Sequence, residues 1–281
     1  MIWIVLSLAV WIVAWFGNIK LANSRHAGTL AARIAVPVIF GLTLLVLWEG
    51  LVRGLGVSQV ILPPPTMIAA TFAASTDILL EDVQQTALKG ALRGFGIGAF
   101  AAFVAAIAID RSAFLTRGLL PIGNFVAALP IVGIAPILVN WFGFDWHSKA
   151  AVVVVMVFFP ILVNTVQGLR ATDAMQRDLM LTYAAGYWST LIKLRLPAAM
   201  PFIFNGLKIS TTLALIGAIV AEYFGSPTRG MGFRISTGVG SLSIDLVWAE
   251  IVVAAIVGSA FYGLVAFIEK RVTFWHPSQR G

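Results

Sequence analysis

The sequence predicts an all-α integral membrane protein, from its composition and from the length and number of its apolar segments. Of its 281 residues, 59% are hydrophobic and only 11% are charged, about half the charge of a typical soluble domain. Apolar runs recur along the whole chain, and a helix needs about 20 residues to cross a hydrocarbon core of about 30 Å. Because lipid offers the backbone no hydrogen bonds, these runs should be helices.

Seven apolar segments are predicted, at 2–17, 32–52, 87–109, 119–143, 149–168, 203–224 and 246–268. A single such segment could be a buried helix of a soluble protein, but seven in one chain favour membrane helices. The first has no basic residue before it and no small-residue cleavage motif after it, so it is interpreted as an uncleaved anchor. At about 24 Å it either crosses the membrane or lies tilted at its interface.

The domain organisation follows from these segments. Residues 1–31 are predicted to be an additional N-terminal anchor with a basic inner loop, and 32–281 a core of about six membrane helices. Lys and Arg are concentrated in the loops 18–31, 110–118 and 169–202 and in the C-terminal tail. Basic loops stay in the cytoplasm, which predicts the N-terminus outside and the C-terminus inside. The net charge of +7 is therefore a topology signal and does not indicate nucleic-acid binding.

Prolines predict irregular backbone at two places. The three consecutive prolines at 63–65 cannot continue a helix, and they should form an extended link to one short amphipathic helix at 67–86. The segment 119–143 should be kinked or broken, because it contains Pro121, Pro130 and Pro136. Such a break either serves packing or faces a water-filled path.

The longest polar stretch on the predicted inner side is 169–202. It carries apolar residues at helical spacing in two runs, with Gly186 between them and Pro197 expected to stop the second. A helix–turn–helix with an exposed apolar face on a membrane surface normally has a protein partner. The alternative is an ordinary amphipathic inner loop.

This stretch resembles the cytoplasmic signature loop of the permease subunits of ABC importers. The resemblance lies in Ala184-Ala185-Gly186, a basic and apolar run, and Leu196-Pro197, with further matches at Leu62–Thr66, Ala91–Gly96, Pro130–Pro136, Phe159–Thr165, Ala221-Glu222 and Gly230–Gly232. In that family the loop forms a coupling helix that docks on the ATP-binding subunit. The resemblance assigns coupling to Asp178, Tyr183, Ala184, Ala185, Gly186, Leu196 and Pro197.

The loop also departs from the family pattern. The family usually opens the loop with Glu-Ala-Ala and places a glycine thirteen residues before the proline. Here Asp178-Leu179-Met180 and Ala184 stand at those positions, and Gly186 is displaced by two residues. The carboxylate and the closing Leu-Pro remain, so the resemblance supports docking more strongly than it supports the geometry of the turn.

The resemblance implies a type I importer permease fold of the branch that includes nitrate, sulfonate and taurine permeases. It further implies a bacterial plasma membrane protein that pairs with a second, identical permease subunit, a dimer of ABC ATPase subunits and an extracytoplasmic solute-binding protein. The chain would work by alternating access. Its substrate would be a small solute such as a sulfonate, nitrate or a vitamin precursor.

No chemistry is predicted within the chain itself. It has no cysteine and no G-x-x-x-x-G-K-[ST] loop, so ATP should be bound by the partner subunit, and no cofactor, metal or catalytic residue is expected. Polar residues within membrane segments are candidates either for the solute path or for helix–helix hydrogen bonds: Asn140, Asn164, Asn205 and Glu222. A secondary transporter or channel is the main alternative, and a membrane-embedded enzyme is the second.

Overall fold

The computed structural model describes residues 1–127, 129–225 and 228–275, and these residues form helices without any β-strand. The first six helices are α1 Ile2–Ala22, α2 Leu30–Leu55, α3 Pro65–Ala74, α4 Thr76–Arg111, α5 Ala113–Ala127 and α6 Ile131–Phe142. The next five are α7 Trp146–Arg170, α8 Ala174–Thr182, α9 Tyr187–Gly225, α10 Met231–Gly240 and α11 Ile244–Val272. Two helices contain a π-helical segment, at Gln84–Ala91 in α4 and Leu191–Arg195 in α9. The predicted all-α class is confirmed.

Six of the described helices are long and apolar enough to cross a membrane: α1, α2, α4, α7, α9 and α11. They contain six of the seven predicted apolar segments. Helix α1 continues to Ala22, and its 21 residues give a length of about 32 Å, which is enough to span the hydrocarbon core. Most side chains of α1 and α2 are exposed, as expected for helices that face lipid.

The remaining predicted segment, 119–143, is broken, as its prolines indicated. Helix α5 ends at Ala127, and α6 begins at Ile131 after Pro130, whose backbone is extended at φ −69° and ψ 109°. Pro121 and Pro136 lie inside α5 and α6. Only the middle proline therefore coincides with the break.

The prediction of a single short helix at 67–86 is wrong. Residues 62–64 lie outside any helix and Pro64 is extended, but Pro65 begins α3. The φ of proline suits the first helical turn, where a backbone N–H would have no partner within the helix. Helix α3 ends at Ala74, and the residues from Thr76 onward belong to the membrane helix α4.

Pro197 does not stop the second run of the inner segment, contrary to the prediction. The helix runs from Tyr187 through Pro197 to Gly225. The π-helical segment at Leu191–Arg195 ends just before the proline. A π turn changes the backbone hydrogen-bond pattern there, and proline is tolerated in the first turn of the α-helical stretch that follows. The second run of the inner segment is consequently continuous with a membrane helix.

The chain folds as two compact units. The first comprises Met1–Asp77 and Thr237–Ile251. Within it α1 and α2 pack closely: a Cβ atom added at Gly50 would lie 2.2 Å from the Ser7 hydroxyl oxygen, so only glycine fits. On the outer part of α2, Glu49 and Arg53 form the ion pair expected from their spacing.

The second unit comprises Ile78–Ser236 and Val252–Gly281. Its core lies between α4, α7 and α9. Four small buried residues of α4 bring that helix close to α7: Gly94, Gly98, Ala102 and Ala106. A Cβ added at Gly94 would lie 2.5 Å from the Val153 Cβ and 3.0 Å from a backbone oxygen of α7. Small residues thus set the separation of these two membrane helices, as is common in lipid.

The Gly94→Ala variant should therefore be destabilised by about 1–3 kcal/mol, because the added methyl group overpacks the α4–α7 contact. Gly96→Ala is the matched control, since a Cβ at Gly96 of the same helix meets no atom within 4 Å. The control should be neutral or more stable by up to about 1 kcal/mol, because alanine favours helix. Thermal unfolding of both variants in detergent measures the difference, and equal effects would contradict the packing argument.

Candidate functional site

The predicted coupling residues lie on the short helix α8, on the turn after it and at the beginning of α9. Helix α8 starts after Asp173, whose N–H donates to Oε1 of Gln176 at 3.2 Å in a capping box. Asp178 lies within α8, and its carbonyl accepts a hydrogen bond from the Thr182 hydroxyl at 3.0 Å. The segment outside the long helices is therefore only 171–186, shorter than the predicted 169–202.

No residue of α8 is buried. The exposed fraction is 82% for Met175 and 76% for Tyr183, the residue that ends the helix. Leu179, Leu181 and Trp188 are also more than half exposed. Large apolar side chains on a polar surface segment indicate an interface with another protein.

The turn between α8 and α9 has an unusual backbone at Ala184. Its φ is +52°, in the left-handed region where an L-residue other than glycine is disfavoured by roughly 1–2 kcal/mol. Ala184 is the position at which the resembling family carries its glycine. Gly186 precedes α9 with φ −69° and ψ 172°, a conformation open to any residue. The left-handed residue of this turn is thus Ala184, and Gly186 does not take its place.

The beginning of α9, which follows the exposed segment, packs against other membrane helices. Leu191 is buried in a cluster with Leu169, Ala199 and Ile203, and Leu196 packs against the same cluster. This cluster joins α9 to the inner end of α7. Leu196, which follows the exposed segment in the chain, therefore packs against the core.

Of the four polar path candidates, the structure brings two together. The Asn205 side-chain amide donates to Oδ1 of Asn164 at 3.0 Å, and Asn164 donates to the Pro160 carbonyl at 2.8 Å. Asn140 lies exposed on α6, and among the described residues no hydrogen bond of its side chain joins it to this pair. The amide pair links α7 to α9 at residues that are not fully buried.

Glu222 is part of a buried ionic network. Its side chain is fully buried, and so is that of Lys149, whose Nζ lies 3.6 Å from Oε1 of Glu222. The Thr86 hydroxyl donates to Oε2 of Glu222 at 2.6 Å. Because an isolated charge is costly inside a membrane protein, this network holds the two charges together between α4, α7 and α9.

The same network binds the beginning of α10. The N–H of Gly230 donates to Asp82 at 2.6 Å, that of Met231 to the Thr86 hydroxyl at 2.9 Å, and that of Gly232 to Glu222 at 3.2 Å. The first N–H groups of a helix have no partner within it and favour negative charge. Two carboxylates and one hydroxyl thus fix where α10 starts.

The glycines here are required by close contacts. A Cβ at Gly232 would lie 2.0 Å from the Ile219 carbonyl oxygen, and Gly230 has φ +115°. Lys149 and Asp82, two further charged members of the network, are buried in the structure. Their partners lie far away in the chain, so no local pattern reveals the network. Within the described residues, no cluster of histidine and acidic side chains could hold a metal ion.

Comparisons with known proteins agree on one family. Residues 94–274 match the family described as binding-protein-dependent transport system inner membrane component. A probable ABC transporter permease protein of Haemophilus influenzae is 31% identical over 243 residues, which cover 85% of this chain and 97% of that protein.

Two further relatives carry names that include a solute. The formylaminopyrimidine transport permease protein ThiX of Halalkalibacterium halodurans is 30% identical over 247 residues, covering 86% of this chain and 96% of that protein. The putative aliphatic sulfonates transport permease protein SsuC of Bacillus subtilis is 30% identical over 244 residues, covering 85% and 86%.

Glu222→Gln should lower the stability of the protein by about 3 kcal/mol, because it leaves Lys149 buried without a counter-charge. Glu81→Gln is the matched control: Glu81 pairs with Arg229 at 2.6 Å, but both side chains are about half exposed, and such pairs contribute at most about 1 kcal/mol. Thermal unfolding in detergent measures both. Similar losses for the two variants would mean that burial of the first pair has no energetic consequence.

Ala184→Gly should stabilise the protein by about 1 kcal/mol, because glycine adopts a positive φ without steric strain. The neighbouring Ala185→Gly is the control, because the φ of Ala185 is not positive and added flexibility there should be neutral or unfavourable. Differential scanning calorimetry of the two variants measures their thermal stability. Stabilisation by Ala185→Gly alone would contradict the assignment of strain to Ala184.

Proposed function

Because this chain belongs to the family of binding-protein-dependent transport system inner membrane components, we propose that its segment 171–186 receives the movement of a separate ATP-binding subunit and passes it to the solute path. The chain is a multi-pass inner membrane protein and a non-catalytic permease subunit of an ABC importer. The predicted family, fold class, localisation and lack of catalytic function are thereby confirmed.

The observation that supports coupling is the exposed apolar surface of α8. Met175, Leu179 and Tyr183 would each be costly to leave in water, and a groove on another protein would cover them. The carboxylate of Asp178 and the turn residues Ala184–Gly186 lie next to this surface. Leu196 and Pro197 continue from it into α9, which gives the segment a mechanical connection to the membrane helices.

The complex that we propose contains two copies of this chain, two ATPase subunits that bind ATP, and an extracytoplasmic solute-binding protein. The chain itself would hold no cofactor. Nucleotide bound between the ATPase subunits would favour one of two arrangements of the permease helices, and each arrangement would open the path to one side of the membrane. Lipid surrounds the exposed helices, and nucleic acid has no role.

We propose that Asn164 and Asn205 line the path, because their linked amides are polar groups at membrane depth that remain partly exposed. Asn140 remains a candidate for the same reason. Glu222 has a buried network of its own, so we propose that it acts on the path only by holding α9 and α10 together. The solute would be small, and the names of the relatives support a sulfonate or a vitamin precursor, with nitrate as the third predicted class.

Co-purification from the native membrane tests this function. The tagged chain should bring an ABC ATPase subunit with it in roughly equal amount, and the solute-binding protein should be recovered when its solute is supplied. A chain that purifies alone and moves solute in liposomes without ATP would instead be a secondary transporter or channel.

Gly186→Asp should abolish ATP-driven uptake while membrane insertion stays normal. The backbone of Gly186 suits any residue, and a Cβ there meets nothing within 4 Å, so the added carboxylate disturbs the docking surface and leaves the fold intact. Gly28→Asp, at an equally open position in the inner loop, is the control and should retain uptake. Normal uptake by Gly186→Asp would count against docking at this turn.

A further inference from the structure

A second ionic cluster lies near the inner end of α4, at Asp110. The guanidinium of Arg195 binds both carboxylate oxygens of Asp110, with Nη1 2.7 Å from Oδ2 and Nη2 2.5 Å from Oδ1. The side chain of Asp110 is only 5% exposed and that of Arg195 16%. A two-point pair of this kind fixes orientation as well as distance.

Two further contacts extend this pair to three helices. The Tyr187 hydroxyl donates to Oδ2 of Asp110 at 3.0 Å. Nε of Arg195 donates to the Leu169 carbonyl at 3.0 Å, close to the C-terminal end of α7. Asp110 belongs to α4, whereas Tyr187 and Arg195 belong to α9, so one carboxylate connects the beginning of α9 to α4 and, through Arg195, to α7.

Aromatic contacts strengthen the same junction. The guanidinium carbon of Arg111 lies 5.5 Å from the ring centre of Tyr187 and 5.9 Å from that of Trp188, within the range of a cation–π interaction. Both neighbouring residues at the end of α4 therefore contact the first turn of α9. Trp188 also contributes to the exposed surface described above, so this turn faces the predicted partner and α4 at once.

The π-helical segment explains how Tyr187 and Arg195 reach one carboxylate. In a regular α-helix, residues eight apart point about 80° away from each other. The segment Leu191–Arg195 has more residues per turn, which rotates Arg195 back toward the face of Tyr187. The irregular helix is therefore a condition for the cluster.

We propose that Asp110, Arg195 and Tyr187 form a clasp that makes the segment 171–186, the beginning of α9 and the inner end of α4 move as one body. This inference rests on the proposed function, because the movement would come from the ATPase subunit on α8. Phe103 and Ile107 of α4 already pack against the apolar cluster around Leu191, but apolar contacts of this kind are not directional. The clasp adds an oriented ionic connection between the same two helices, so that α4 follows the movement of α9. Asp110 and Arg195 are thus positioning residues for coupling, and Asp110 is too buried to be part of the docking surface.

The chain contains no cysteine, which allows a direct test by distance measurement. Ala174→Cys on α8 and Val104→Cys on α4 place two spin labels at exposed positions, and neither residue belongs to the apolar surface that we propose for docking. The labelled chain is diluted with unlabelled chain, assembled with its co-purified ATPase subunits in nanodiscs, and measured without nucleotide and after trapping with MgATP and vanadate. If the clasp holds, the distance between the labels is the same in both states.

Asp110→Asn removes the charge and keeps the shape of the side chain. In this variant the distance should differ by several Å between the two states, while the ATPase subunit is still recovered and hydrolyses ATP within about twofold of the normal rate. Tyr187→Phe, which deletes one hydrogen bond, should give a smaller difference and provides a second variant if the first is poorly folded. Asp145→Asn is the control, because this exposed carboxylate at the start of α7 makes no capping hydrogen bond.

Two results would overturn the clasp: an unchanged distance in Asp110→Asn, or a distance that already changes in the protein with the clasp intact. A purely structural role would lower the thermal stability of the variant without producing a nucleotide-dependent distance. If no ATPase subunit accompanies the unsubstituted chain, the proposed function fails, and the clasp fails with it. If the ATPase subunit is recovered but the distances contradict the clasp, only the clasp fails.

Discussion

The absence of water in the bilayer is the constraint on which the rest of this structure depends. Backbone groups must be paired within each helix, so the chain crosses the membrane as helices and breaks where Pro130 interrupts the pairing. Charged side chains must find partners within the protein. Lys149 meets Glu222 in a fully buried pair, and Lys208 of α9 meets Glu269 of α11 at 2.6 Å.

The membrane helices could be predicted from the sequence because apolar length is a property of consecutive residues. The broken segment could be predicted too, since proline acts on its own turn. Predictions failed where the effect of a proline depends on its neighbours. Pro197 lies within a continuous helix because a π-helical segment precedes it, and Pro65 begins a helix because it stands at the first helical position, which suits proline. The boundary between an anchor and a core at residue 31 stays a prediction.

The candidate site likewise has one part that could be predicted from the sequence and one part that could not. The predicted coupling residues all lie within the stretch 178–197, so a resemblance in sequence could find them, and the structure adds that Ala184 carries the left-handed backbone. Glu222 was a candidate from the sequence, but the two ionic clusters could not be found. Asp110 and Arg195 are 85 residues apart, and Thr86 and Glu222 are 136 apart, so no local pattern shows which side chains meet. The Gly230–Gly232 motif was visible in the sequence. Only the folded structure shows why glycine is needed there, namely the close approach to Glu222 and Ile219.

The two π-helical segments also bear on how this chain can diverge. A π turn holds one residue more than the α turn that it replaces. Deleting a single residue from Leu191–Arg195 would leave a regular α-helix in which Tyr187 and Arg195 stand seven positions apart, about 20° from each other around the helix axis. The two side chains would still share a face. A relative that is one residue shorter here can therefore build the same junction on a regular helix, whereas a regular helix of unchanged length would turn Arg195 away from Asp110.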